Sequence, residues 1–230
     1  MAEPIVSINF YGHDSPEVAG TDASFVPLTR QAPKTVSRQL KRSWTLHVVG
    51  KERLLGCESR GREKAFYDYN AALNEESNKA LAETILKLIM DSKTSSGDFS
   101  PANLTGLFLI TGYSSGGPSA LHMARLLTKR AKVCYVGLAD AEFERGNTDY
   151  LMRKNDVTGK YLKNYYQTKG NGSDNPFIHD AIDGFTNFKL DGEIKDEGDS
   201  EEAASHYHDA AVKIANERLF NDLKWCMENC

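Results

Sequence analysis

The stretch that decides the fold is Leu107-Phe108-Leu109-Ile110-Thr111-Gly112-Tyr113-Ser114-Ser115-Gly116-Gly117-Pro118. Five residues, four of them large and apolar, run without alternation, as a strand covered on both faces does. The glycines then demand a tight turn. Pro118 suits the first turn of a helix, and Ala120, Met123, Ala124 and Leu127 follow at helical spacing. Strand, turn and helix in that order make one unit of an α/β sheet.

Outward from this unit the alternation continues. Ile5–Phe10 and Trp44–Val49 read as strands, and residues 15–43 between them as a long irregular segment with Pro16, Pro27 and Pro33. Residues 62–92 carry helix-spaced Ala71, Ala72, Ala80, Leu81, Ile85, Leu88 and Ile89. Val133–Leu138, Tyr161–Gln167 and Phe185–Leu190 read as further strands, and residues 144–160 as a polar surface excursion. Acidic residues 191–203 read as a solvated loop before a final helix over about 207–227. The expected fold is α/β: a mostly parallel central sheet flanked by helices in three layers, as one domain over residues 1–230.

Composition narrows the function. The 230 residues carry 28 basic and 32 acidic side chains, a net charge of −4, and so no global attraction to nucleic acid or anionic lipid. No apolar run reaches membrane-spanning length, and Met1-Ala2-Glu3-Pro4 lacks the basic and apolar regions of a secretory signal. The expected location is cytoplasmic, or exported without a cleaved signal peptide. Four cysteines form no disulfide scaffold. Cys134 reads as a buried thiol, and Cys226 and Cys230 as neighbours on a terminal helix. No cysteine has a histidine at zinc-ligand spacing, so no structural zinc is expected.

Gly112-Tyr113-Ser114-Ser115-Gly116 is also a G-x-S-x-G sequence in the strand–turn–helix context that presents a nucleophilic serine. A sharp turn exposes Ser114 Oγ, glycines relieve the crowding, and the helix N-terminus directs its amides and positive dipole end at the site. The backbone N–H of Ser115 is then one oxyanion donor. A phosphate-binding loop would need lysine where Pro118 stands, which argues against nucleotide.

On these residues the chain resembles the α/β-hydrolase superfamily, most specifically over 107–118. The resemblance implies a serine hydrolase with nucleophile, acid and histidine in that chain order. Ser114 would be the nucleophile. Asp140, just past the strand after the helix, would be the acid. Pancreatic-type lipases place theirs within a similar phrase, although Ala139 is extra here and the usual following proline is missing. Asp174 or Asp183 are the alternatives. The base would be His208 or His206, on a loop before the terminal helix. His179 falls at the wrong edge of the sheet, and His122 is a surface or packing residue. Gly12 and Tyr11, after the first strand, would carry the second oxyanion donor, with His13 at the rim. Tyr113, Phe143, Tyr150 and Leu151 are candidates for an apolar mouth. The implied substrate is a small-molecule ester or lipid, cleaved through an acyl-enzyme by chemistry that needs neither metal nor other cofactor. A thioesterase or acyltransferase would use the same nucleophile, and a non-catalytic binding domain would keep only the fold.

Overall fold

Val6, Ile8 and Phe10 are fully buried on one face of the first strand, while Ser7 and Asn9 point to the other. That two-residue alternation places the strand inside a sheet with cover on its apolar side. The structure, a computed structural model, describes residues 5–10, 43–50, 64–69, 75–91, 104–145, 157, 159–172, 177–195 and 201–229.

The elements in chain order are β1 (Ile5–Phe10), β2 (Ser43–Gly50), β3 (Lys64–Tyr69), α1 (Glu75–Asp91), β4 (Leu107–Tyr113), α2 (Gly116–Thr128) and β5 (Lys132–Ala139). There follow β6 (Phe143–Glu144), β7 (Tyr161–Tyr166), β8 (Phe177–Ile178), β9 (Thr186–Lys189) and α3 (Glu201–Asn229). The sheet order is β3-β2-β1-β4-β5-β7-β9, and each adjacent pair is parallel. β6 and β8 form a separate antiparallel pair, Phe143 opposite Ile178.

Three layers result. The side chains of Val6, Ile8, Phe10, Phe108, Ile110 and Leu138 pack against α1 and α2 through Leu81, Ile85, Ile89, Leu121, Ala124 and Leu127. On the other face Leu109, Tyr135 and Tyr165 pack against α3 through Tyr207, Ala211, Ala215, Leu219 and Leu223. Gly137 permits the close seat of α3, because a Cβ there would lie 2.4 Å from a Leu219 methyl carbon. The chain builds outward from β1 to β3, then crosses back to β4 and builds the other way. The strand order therefore reverses between β1 and β4, and the crevice outside that point is where open α/β sheets take ligands.

Three readings of the sequence need correction. Residues 62–92 are not one helix: Lys64–Tyr69 is a strand paired with β2, as its run of Phe and Tyr allows. The sheet partner outweighs helical spacing that starts further along. α3 begins at Glu201, so Glu201, Glu202 and Ala203 belong to the helix and not to the acidic loop. Two carboxylates in a first turn are favourable against the helix dipole. Finally, Cys134 is disulfide-bonded and not a thiol, while Cys226 is free among the described residues. Residues 15–42 and most of 144–160 lie outside the described residues.

Candidate functional site

The site grows from the ends of β4 and β5. β4 continues through Gly112 and Tyr113, so the turn is Ser114-Ser115 itself. Ser114 has φ +52°, a left-handed conformation unfavourable for a side chain. Gly112 is required because a Cβ there would meet the Gly116 carbonyl oxygen and the Ala120 Cβ at 2.6 Å. The second tight glycine is Gly117, whose Cβ would lie 2.2 Å from that of Ala141. The segment after β5 thus rests directly on the turn after β4.

Backbone hydrogen bonds lock the two together. Ser114 N–H donates to the Ala139 carbonyl at 3.1 Å, and Glu142 N–H donates to the Ser114 carbonyl at 3.1 Å. Asp140 is the second left-handed residue, at φ +45°, and its N–H donates to the Tyr165 carbonyl at 2.7 Å. Strained, adjacent residues at the carboxyl edge of a sheet persist only where the surroundings over-determine them.

The Asp140 carboxylate is fully buried and fully served. Gln167 N–H donates to Oδ1 at 3.0 Å, and Gln167 Nε2 donates to Oδ2 at 3.3 Å. The Gln167 amide is itself held by Gly170 N–H, which donates to Oε1 at 2.7 Å. His208 Nδ1 lies 2.7 Å from Oδ2. An ionised carboxylate only accepts, so Nδ1 carries a proton. Burial by itself would lower the His208 pKa. The hydrogen bond to Asp140, then the charges of Asp140, Glu142 and Asp209, outweigh it and push the value up to about 9. Glu142 Oε1 stands 3.8 Å from His208 Nε2.

Ser114 is buried to within 8% of its surface. Among the described residues its Oγ makes no hydrogen bond to His208. Such contacts are often long before substrate arrives. Ser115 caps α2 with backbone geometry alone, and its buried Oγ has no hydrogen-bond partner among the described residues.

The other expected residues separate. His206 is exposed, about 200° around α3 from His208, and both histidines stand in the helix and not on a loop before it. Asp183 is exposed in the turn before β9. His122 is buried on α2, where burial and then the charges of Arg125 and Lys79 lower its pKa to about 4. Tyr113 and Phe143 pack into the two cores and line no mouth. Tyr11, Gly12, His13, Tyr150, Leu151 and Asp174 lie outside the described residues.

Sequence reasoning missed Gln167 and misplaced His179. The β7–β9 connection passes over the carboxyl ends of the strands, and β8 pairs with β6 immediately after Asp140. His179 is thereby buried beside Asp140, with Nδ1 3.2 Å from its carbonyl oxygen and 3.3 Å from Oδ1. A visible signal was the polar Gln167 at the carboxyl end of a strand otherwise rich in tyrosine.

Asp140, His179 and His208 also form a group whose donor atoms lie within 4.8 Å of one another, a set that a divalent ion accepts. Both Nδ1 atoms stand at hydrogen-bonding distance from Asp140 oxygens, and Gln167 N–H groups take further lone pairs of the carboxylate. The group is complete as a hydrogen-bonded cluster.

Comparison with protein-family models, curated proteins and solved structures finds no match.

Proposed function

We propose that this protein is a serine hydrolase that cleaves carboxylic esters through Ser114, with His208 as base and Asp140 as the carboxylate that orients it. The observation that carries the reading is the 2.7 Å contact between His208 Nδ1 and a buried carboxylate, adjoining a serine at positive φ at the carboxyl edge of the sheet. Asp140 fixes the tautomer, so that Nε2 is the acceptor in the neutral imidazole.

In this reading Ser114 Oγ attacks the ester carbonyl and His208 Nε2 takes its proton. The tetrahedral oxyanion is met by the Ser115 N–H at the N-terminus of α2. His208 returns the proton to the leaving alcohol, and the acyl group stays on Ser114. Water then attacks the acyl-enzyme, with His208 again as base, and the free acid departs. The same machinery would serve a thioester or an acyl transfer to another alcohol. No cofactor enters the scheme. Among the described residues no helix is long and apolar enough to cross a membrane, so a lipid substrate would be met at a surface. The Cys134 disulfide favours an oxidising compartment over the cytoplasm.

A binding domain that retains only the fold is the competing reading, favoured by the lack of a Ser114–His208 hydrogen bond. Hydrolysis of p-nitrophenyl esters of graded chain length separates the two. The hydrolase reading expects turnover that Ser114→Ala abolishes and Asp140→Asn lowers about 10⁴-fold, as loss of the correct tautomer does. Turnover that survives Ser114→Ala rejects it.

A further inference from the structure

We propose that His179 is a positioning residue for Asp140. Its imidazole donates to the carbonyl of that residue and stands against its carboxylate, and so fixes the angle at which the carboxylate meets His208. The proposal rests on the hydrolase reading above.

His179 is only 3% exposed, and both of its backbone polar groups are taken by one side chain. Its N–H donates to Asn171 Oδ1 at 2.9 Å, and Asn171 Nδ2 donates to its carbonyl at 2.8 Å. The residue before it, Ile178, pairs with Phe143, three residues after Asp140. The ring is therefore carried on a support tied to the same segment that it serves. Nδ1 lies 3.2 Å from the Asp140 carbonyl oxygen, which only accepts, so Nδ1 carries the proton and donates there; the carboxylate Oδ1 stands 3.3 Å from the same nitrogen as an ion-pair contact.

Asp140 needs this. At φ +45° the residue sits in a conformation that its own backbone disfavours. Gln167 holds the carboxylate and the Tyr165 carbonyl holds the N–H. Among the described contacts, His179 is the side chain that donates to the Asp140 carbonyl while standing against its carboxylate. The His179 and His208 rings stand 5.2 Å apart at 33°, so His179 also limits how far His208 can swing.

The test compares His179→Ala and His179→Asn in the full chain. An asparagine N–H can stand where Nδ1–H stood. The expectation is that His179→Ala lowers kcat about 100-fold, the cost of a misplaced group, with KM within about twofold. His179→Asn recovers most of it. The downfield proton resonance of the His208–Asp140 hydrogen bond should persist in wild type and His179→Asn and be lost or shifted in His179→Ala. Equal kcat in His179→Ala and wild type overturns the proposal. So does a His179→Asn variant that melts like wild type yet is as slow as His179→Ala. So does stoichiometric zinc in the purified wild type that His179→Ala loses, because the cluster would then be a metal site. If wild type turns over no ester, the hydrolase reading fails, and the resonance decides His179 by itself: an unchanged signal in His179→Ala overturns the positioning role.

Discussion

Ser114 and Asp140 both sit at positive φ, and both lie at the site, so the strain can be measured as well as described. Glycine at 114 would carry no Cβ penalty there, so Ser114→Gly should raise the unfolding free energy by about 1 kcal/mol while abolishing ester turnover. A thermal melt of the two proteins checks the first half. The protonation of His208 gives a second prediction. With its pKa raised to about 9, the base is mostly protonated below that pH, and kcat/KM should climb as pH rises through it. The sign for stability is opposite. The extra stability is fully present below the unfolded value of about 6.5 and is lost as pH rises through about 9. Glu142→Gln removes one of the charges that raise the value, so the acidic limb should move to lower pH. Ser114 was legible from local spacing at the end of a strand, whereas Asp140 and His208 came from the resemblance carried by residues 107–118, with Asp174, Asp183 and His206 as alternatives. Gln167 and His179 were beyond both. Their role depends on how the β7–β9 connection crosses the sheet edge, which no local pattern encodes.

At the scale of elements, α3 matters most, because it delivers His208. Its far half is fastened by Asp222, which accepts from Tyr165 OH at 2.6 Å and Tyr135 OH at 3.1 Å and contacts Lys163 Nζ. Burial, then the hydrogen bond to Asp222, raise the Tyr165 pKa. Asp222→Ala would strand two phenol hydroxyls and an ammonium, and should destabilise by about 2–4 kcal/mol. Urea unfolding measures it, and Asp222→Asn should recover part of the loss. A change below about 0.5 kcal/mol for Asp222→Ala would show that the cluster does not fasten the helix. The sequence made this helix plain through Ala211, Ile214, Leu219 and Leu223, but not its start. Acidic residues at 201 and 202 look like a loop by charge, yet they fit a helix N-terminus by dipole. Trp225 is half-exposed with its ring edge-on to Tyr161.

For the whole molecule, seven of the described strands form one parallel sheet whose order reverses between β1 and β4. Ser114 follows β4 and stands at that reversal. The parallel α/β architecture was legible because β1, β4 and β5 are apolar runs separated by helical spacing. β3 was not, because its aromatic residues merged with the helix that follows. The disulfide was not either, since cysteine counting says nothing of proximity. Cys134 is disulfide-bonded and Cys226 is free. Non-reducing peptide mapping should find a link at Cys134, and reduction should cost about 2–4 kcal/mol of stability. A map showing only free thiols would rule the link out. The central claim is that Ser114 is an activated nucleophile. A fluorophosphonate probe followed by intact mass and peptide mapping tests it most directly. One adduct per chain on Ser114 in folded wild type, absent from Ser114→Ala and slowed in His208→Ala, is the predicted result. No adduct on folded wild type, or an adduct on another residue, would contradict it.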